Sequence, residues 1–321
     1  MKNQLLILTL TWLTLGAGMT YAKPTPLALD NIVAVINDDV VTQSELKQSL
    51  TMTKAQLAQA HTSLPSAEVF EKQVLNQLIS KKLQLQIAKQ AGISVADNEI
   101  DEIIQKIATE NNVSVSALYK RINQEGMETS AYRNELREQL TIQRLQQQEI
   151  GTRIKVTPEE ISSFMNSAVW QSNSDKEYRL EDIIIPLSDS PASDEITTAK
   201  KRAHAVMGQL KQGQAFNAIA QRESNAKNAL QGGDLGWRKL PEIPSSFSTH
   251  VVSMQTNDLA GPIQTANGFH IIRLTDVRAS EKQTADKKQI ERLIMQRKFE
   301  EHVQNWVSRM RSQAFIVMNP S

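Results

Sequence analysis

The stretch from Gly232 to Leu274 constrains this chain more than any other segment of similar length. It opens on the pair Gly232-Gly233, and adjacent glycines indicate a backbone that takes positive φ angles or passes close to another segment. It closes on the β-branched run Gly268 to Ile272, which is typical of a strand. The pattern predicts a compact α+β unit with a tight turn, a short helix around Phe247 and a hairpin whose strands join near Asn267-Gly268.

Length and composition exclude several classes of protein. A chain of 321 residues favours two domains. The 36 basic and 35 acidic residues nearly cancel, which excludes a broad basic field for nucleic acid. The absence of cysteine excludes a disulfide framework, a thiol nucleophile and a lipidated cysteine. The histidines show no metal-ligand spacing, so we predict neither a metal nor a cofactor.

The first 22 residues are typical of a secretory signal. Lys2 precedes an apolar run from Leu5 to Leu15, and small residues end at Ala22. The alternative is an uncleaved anchor helix, but the run is shorter than the ~20 apolar residues that cross a bilayer. We therefore expect export with cleavage after Ala22 and a mature protein that does not span a membrane. A cysteine-free exported chain is compatible with the bacterial periplasm.

The two ends of the mature chain contain the strands of one predicted sheet. The β-branched run Ile32 to Ile36 needs a partner strand, and the best match is Ala314 to Val317. If these two segments pair, both ends belong to one domain. Between them the capping-box sequence Thr42-Gln43-Ser44-Glu45 predicts a helix to about Ala60. Further helices are predicted at about 65–92, 96–111, 115–124, 128–153 and 157–170.

The character of the chain changes after a polar linker at residues 171–176. A strand is predicted at 178–187, helices at 193–211 and 215–223, and a long charged helix from about Lys282 to Arg311. The resulting fold class is a multidomain α+β protein. We predict a discontinuous α-helical domain, residues 23–172 plus 279–321, into which an α+β domain of residues 177–278 is inserted.

The Gly232 to Leu274 window resembles the second half of a parvulin-type (PpiC-type) peptidyl-prolyl isomerase domain, an FKBP-like α+β fold. The whole layout, with the stretches Val40 to Glu45 and Trp306 to Val317, resembles the SurA family of periplasmic chaperones. In that family a helical client-binding core is interrupted by parvulin domains. The better-known members carry two parvulin domains, whereas this chain has room for one.

The parvulin resemblance implies a partly altered active site. Parvulins use a histidine on the first strand, a Cys or Asp after the second helix, a Met and a Phe at the proline pocket, and a histidine on the last strand. His270 and Phe247 match this pattern, whereas Asp182, Ala226 and Ile243 occupy the positions of the first histidine, the Cys or Asp, and the Met. Losing a preorganised polar group costs about 10²–10³-fold in rate. The resemblance therefore predicts weak or absent isomerase activity.

Two kinds of site residue are predicted. Asp182 and His270 are the candidate catalytic residues, because a carboxylate beside the imidazole would fix its tautomer. The alternative for Asp182 is a surface carboxylate that contacts nothing. Phe247, Ile243 and Trp237 are the candidate peptide-binding residues, and for Trp237 the alternative is core or rim packing.

The SurA resemblance implies a chaperone that works without ATP and binds unfolded outer-membrane β-barrel precursors, mainly through the helical domain. Proline-containing peptides are the second predicted class of ligand. Two other functions stay open at this point: an active parvulin foldase, and a periplasmic scaffold whose domains bind folded partners. The sequence sets no oligomeric state.

Overall fold

The computed structural model describes residues 30–280 and 286–318. The predicted signal segment, its cleavage after Ala22 and the predicted helix start at Lys282 lie outside the described residues. The helices are α1 (Gln43–Gln59), α2 (Ala67–Gln90), α3 (Asp97–Glu110), α4 (Val115–Gln124), α5 (Thr129–Glu149), α6 (Pro158–Asn166), α7 (Ala168–Gln171), α8 (Ser193–Lys211), α9 (Phe216–Glu223), α10 (Ser245–Val251) and α11 (Lys287–Gln313). The strands are β1 (Ile32–Ile36), β2 (Asp39–Thr42), β3 (Lys176–Pro186), β4 (Asp234–Lys239), β5 (Leu259–Thr265), β6 (Gly268–Ala279) and β7 (Ile316–Met318).

Strand β1 is the centre of a three-stranded antiparallel sheet with the order β2-β1-β7. Ile36 lies opposite Ile316, and Val35 lies opposite Val317. The predicted pairing of the two distant segments is therefore confirmed. Strand β2 was not predicted, because it is only four residues long and runs directly into α1.

Local capping chemistry explains where several helices begin and end. The Thr42 hydroxyl accepts a hydrogen bond from the Glu45 amide at 3.3 Å, and the Glu45 carboxylate accepts one from the Thr42 amide at 2.9 Å. The helix predicted from 157 to 170 was too long. It breaks at Ser167, whose extended backbone ends α6 and whose hydroxyl accepts a hydrogen bond from the Trp170 amide to begin α7.

The second sheet has the strand order β4-β3-β6-β5 and is antiparallel throughout. Strands β5 and β6 form the predicted hairpin. Helices α8 and α9 cover one face through Ile183, Ile185, Phe269 and Ile271, while the alternate residues of β3 and β6 point to the other face. Strand β4 was not predicted, and it carries a bulge because Leu180 lies opposite Gly236 and Glu181 lies opposite Asp234.

Gly233 sits where the turn before β4 presses against β3. Its φ angle is +84°, and a Cβ atom there would lie 2.5 Å from the Asp182 carbonyl oxygen. Both predicted reasons for a glycine therefore hold at this position, since the backbone is left-handed and closely packed. The contact also fixes the backbone of Asp182, whose amide donates to the Gly233 carbonyl at 2.9 Å.

The core on the second face of the sheet is shared between distant parts of the chain. Leu180 and Phe247 pack in one cluster with Trp170 from α7 and with Ile290 and Ile294 from α11. The described residues from Asn31 onward accordingly belong to one compact unit. The predicted α+β fold class, with a helical part and a second part built on an antiparallel sheet, is confirmed. The domain limits at 23–172, 177–278 and 279–321 stay predictions.

Candidate peptide-binding site

His270 lies on β6, one of the two inner strands of the second sheet, and the other inner strand, β3, brings Asp182 to the same face. Ile184 is directly opposite His270, so Asp182 is the diagonal neighbour on that face. The imidazole Nδ1 is 2.9 Å from Asp182 Oδ2 and 3.0 Å from Oδ1. Both residues are buried, at 4% and 7% exposure. The geometry favours the paired carboxylate over the exposed, contact-free one.

The other imidazole nitrogen contacts the tip of the β5–β6 hairpin. Nε2 is 3.1 Å from Thr265 Oγ1 and 3.2 Å from Asn267 Oδ1. Because a carboxylate only accepts hydrogen bonds, this contact favours the tautomer in which the Nδ1–H group donates a hydrogen bond to Asp182. Both ring nitrogens are therefore engaged by protein groups. Thr265 and Asn267 were not predicted as site residues, since a threonine and an asparagine beside a glycine are typical of a hairpin turn.

An apolar wall stands next to the imidazole. The Phe247 ring centroid lies 5.0 Å from the His270 ring centroid, with the two planes tilted by 58°. Ile243 lies beside Phe247, and both are buried. With Leu180 and Leu235 they line a cavity of about 270 Å³ that also reaches Asp182 and His270. The structure thus brings together four of the five predicted site residues.

Helix α11 forms the opposite wall of this cavity. The wall consists of side chains from two helical turns, namely Arg297, Glu300, Glu301, Gln304 and Asn305. Arg297 Nη1 donates to the Ile243 carbonyl at 3.4 Å, and its Nε lies 3.8 Å from Glu301 Oε1. Burial raises the pKa of the Glu301 carboxyl, against the opposing influence of Arg297, His302 and Lys298. This wall was not predicted, because α11 comes after the second sheet in the sequence and only tertiary packing places it beside Ile243 and Phe247.

Two residues that the sequence analysis singled out, Trp237 and Ala226, do not line the cavity. Trp237 packs under the Arg278 guanidinium at 4.2 Å. The bulge at Leu235 changes the alternation along β4, so Leu235 reaches the cavity and Trp237 does not line it. Ala226 lies in the turn after α9, where its amide donates to Ser224 Oγ at 3.3 Å. A peptide contact by Trp237 would have to be made outside this cavity.

The arrangement suits binding of one residue of an extended peptide. Rotation about a prolyl amide has a barrier of ~18–20 kcal/mol, and a catalyst must favour the twisted amide over both planar forms. The apolar wall can hold a proline ring or an aliphatic side chain. The imidazole, however, must give up an existing hydrogen bond before it can offer one to the peptide.

Within the described ranges, no cluster of three or more His, Asp or Glu side chains has the geometry of a metal site.

A second concavity lies among the N-terminal helices. It has a volume of about 840 Å³ and lies between α1, α2 and α5. Met52, Leu78 and Leu85 form its apolar part. Lys81 lies among acidic groups there, at 2.6 Å from Glu135 and 2.5 Å from Glu138. Burial lowers the pKa of Lys81, but the hydrogen bonds that its ammonium donates to these two carboxylates, together with their negative charges, outweigh burial and leave the pKa raised.

None of the helices in residues 30–280 and 286–318 is both long enough and apolar enough to cross a membrane.

Comparison with known proteins places the chain in a family. Residues 29–146 match the family described as SurA N-terminal domain, and residues 183–276 match the PPIC-type PPIASE domain. Chaperone SurA of Legionella pneumophila (strain Paris) is 39% identical over 82% of this chain and 61% of its own length. Chaperone SurA of Pseudomonas aeruginosa is 31% identical over 88% of this chain and 68% of its own length.

A solved structure from Campylobacter jejuni, described as a SurA-like chaperone, covers 91% of this chain and 100% of its own, with 13% identity and a TM-score of 0.45. The chain spans about three fifths of the length of the Legionella relative. The region that matches the SurA N-terminal domain contains the N-terminal helices, and the region that matches the PPIC-type domain contains most of the second sheet. The chain belongs to the SurA family.

Proposed function

We propose that this protein is a periplasmic chaperone that binds unfolded outer-membrane β-barrel precursors without ATP, and that its parvulin-type site binds peptide with weak or absent isomerase activity. The relatives named Chaperone SurA match both its helical region and its parvulin-type region, which supports the chaperone role. The observation that carries the proposal is a cavity for one residue beside His270. Its apolar wall agrees with the parvulin pattern, whereas the polar groups around His270 differ from that pattern.

Weak catalysis follows from how the imidazole is held. Asp182 accepts from Nδ1, and Thr265 and Asn267 contact Nε2, so the ring is fixed on both sides. A group that stabilises the twisted amide must be free to interact more strongly with the transition state than with the substrate. Phe247 and Ile243 would hold a proline equally well in every state, which supports binding rather than rate enhancement.

The concavity between α1, α2 and α5 is the proposed place for unfolded clients. Its volume of about 840 Å³ exceeds that of the cavity beside His270. Its apolar part, formed by Met52, Leu78 and Leu85, is bordered by lysine and glutamate side chains. Strands of outer-membrane barrels alternate apolar and polar residues, so such a segment presents both kinds of surface at once.

The test is suppression of aggregation. An unfolded porin is diluted from denaturant with an equimolar amount of the full chain and no ATP, and light scattering is recorded. We expect the wild type to lower the scattering, Met52→Glu to lose most of the protection, and His270→Ala to keep it. Ala55→Glu, which adds the same charge at an exposed position of α1, is the matched control. If the wild type does not lower the scattering, the chaperone proposal is wrong, and the alternative of a periplasmic scaffold that binds folded partners is favoured.

An active isomerase is the second candidate, and the buried Asp182–His270 pair beside an apolar cavity is the observation that favours it. Catalysed cis–trans exchange in a proline tetrapeptide distinguishes the two. We expect exchange close to the uncatalysed rate. Robust turnover that is abolished by His270→Ala would replace the binding function with a catalytic one.

A further inference from the structure

The cavity beside His270 is built by two parts of the chain that are far apart in sequence. The apolar wall comes from the sheet, from Phe247 on α10 and from Ile243 in the segment just before α10, while α11 supplies a polar wall. Helix α11 also packs on the turn at Leu240–Glu242 just before this wall, and its Ile290 and Ile294 lie in the same core cluster as Phe247. The polar wall is therefore held in a fixed position against the apolar one.

Arg297 on this wall has unused hydrogen-bonding capacity. A guanidinium has five N–H donors, and one long hydrogen bond, from Nη1 to the Ile243 carbonyl at 3.4 Å, is present. Glu301 Oε1, at 3.8 Å from Nε, is beyond hydrogen-bond distance. Within the described residues, Nε of Arg297 is the only buried side-chain nitrogen or oxygen without a hydrogen-bond partner. Such unsatisfied atoms are rare in folded proteins, so the guanidinium has donor capacity left over beside the cavity that Arg297 lines.

The charges around Arg297 select the kind of acceptor. Glu300 and Glu301 lie on the same wall, and Arg238 faces Glu300 at 3.6 Å. With Asp182 and Glu242, four acidic and two basic side chains line the cavity, a formal charge of −2. An incoming carboxylate would be repelled by both glutamates, whereas a backbone carbonyl is a neutral acceptor. The volume of about 270 Å³ lies just below the range of roughly 300–1,000 Å³ that is usual for ligand pockets. It suits one side chain with its flanking peptide groups.

We propose that α11 is part of the peptide-binding site, and that Arg297 donates a hydrogen bond to a backbone carbonyl of a bound, uncharged peptide segment whose proline or aliphatic side chain packs on Phe247 and Ile243. This inference rests on the proposed peptide-binding function of the cavity and adds the substrate class and a specificity-determining residue. Recognition then depends on a helix outside the parvulin-type region.

Affinity for a proline tetrapeptide blocked at both ends tests the role of Arg297, with the full chain and calorimetry as the readout. Arg297→Met removes the donors and keeps most of the volume, and we expect at least about tenfold weaker binding, as for loss of a hydrogen bond to a charged group. Arg292→Met is the matched control, because it removes the same charge from an exposed position of α11 and should bind as the wild type does. Adding a glutamate beside the proline should weaken binding to the wild type.

Cross-linking separates a direct contact from a structural effect. A photoreactive p-benzoylphenylalanine replaces Gln304, which lines the cavity, or His302, an exposed residue of α11 outside its lining. We expect the tetrapeptide to cross-link to the Gln304 variant and not to the His302 variant. Weakened binding by Arg297→Met without a cross-link at position 304 would assign Arg297 a structural role and overturn the inference, as would unchanged affinity.

The two proposals fail differently. If the wild type binds no tetrapeptide, the cavity is not a peptide site and this part of the proposed function falls, together with the inference. If the wild type binds and Arg297→Met binds equally well, the inference falls alone. The aggregation experiment described under the proposed function tests the concavity between α1, α2 and α5, and its result is independent of both outcomes.

Discussion

At the scale of single residues, the site is a buried imidazole between a carboxylate and a hairpin tip. The family pattern predicted His270 and Phe247 directly, because their neighbours in sequence are distinctive. The contact with Asp182 could be predicted only as one of two alternatives, since it depends on the register between β3 and β6. Thr265 and Asn267 could not be predicted, because their contacts with Nε2 exist only once the hairpin folds back beside His270.

Replacing the carboxylate beside the imidazole should change how the ring is protonated. In Asp182→Asn the group facing Nδ1 is no longer an obligatory acceptor, so the preference for a proton on Nδ1 weakens. We expect the 15N chemical shifts of the two His270 ring nitrogens to move in opposite directions. Asp276→Asn, at an exposed position of β6, is the control and should leave them in place. An unchanged His270 spectrum in Asp182→Asn would show that the pairing does not exist in solution.

A methyl group at Gly233 should destabilise the fold more than one at Gly213. Both residues have positive φ angles, +84° and +88°. Gly213→Ala meets no atom within 4 Å and should cost about 1 kcal/mol from backbone strain alone. Gly233→Ala adds a contact of 2.5 Å with the Asp182 carbonyl, and we expect a loss of roughly 3 kcal/mol or more. Urea unfolding of both variants measures the difference, and equal losses would contradict the close approach.

At the scale of elements, the sequence predicted best where local chemistry decides. The Thr42 capping box and the end of α8 before the left-handed Gly213 follow from residues within one turn. Strand β4 was missed because its run Asp234 to Lys239 contains a glycine, charged residues and no clear alternation, and it is a strand only because β3 offers it an edge. The break at Ser167 was missed because a single residue ends one helix through its extended backbone and begins the next through its hydroxyl.

The start of β3 should carry a pH-dependent part of the stability. Burial, with the nearby Asp175 charge, raises the pKa of Tyr178 to about 12, above the ordinary value of ~10 that holds in the unfolded chain. A raised pKa favours the folded state at neutral pH and loses that contribution as the pH rises above ~10. By pH 11 the wild type should have lost on the order of 1 kcal/mol that Tyr178→Phe does not lose.

Unfolding in urea at pH 8 and pH 11 measures this difference. At pH 8 we expect Tyr178→Phe to be less stable by about 0.5–1.5 kcal/mol, because the hydrogen bond from its hydroxyl to Asn173 Oδ1 at 3.0 Å is lost. The gap between the two proteins should narrow at pH 11. The same gap at both pH values would contradict a raised Tyr178 pKa.

At the scale of the whole molecule, the inserted part and the helical part share buried groups. Leu230, which follows α9, is fully buried in the cluster formed by the N-terminal helices. Gln73 on α2 donates from Nε2 to the Gln221 and Ser224 carbonyls at 2.8 Å and 3.1 Å. The sequence predicted an insertion but not this shared core, because partners about 150 residues apart leave no local pattern. The cavity beside His270 and the concavity between α1, α2 and α5 therefore belong to one packed unit.

Removing the side-chain amide of Gln73 should destabilise the contact between α2 and the segment Gln221 to Ser224 far more than removing the amide of Gln77, one turn further along α2. Gln73→Met keeps the side-chain volume but leaves two buried carbonyls without their donor, and we expect a loss of roughly 2–3 kcal/mol. Gln77→Met removes one exposed hydrogen bond of 3.5 Å to the Lys227 carbonyl and should cost less than about 0.5 kcal/mol. Urea unfolding followed by far-UV circular dichroism and by tryptophan fluorescence measures both, and the two probes should coincide in the wild type. Equal stability of the two variants, or separate transitions in the wild type, would mean that the two parts fold independently of this contact.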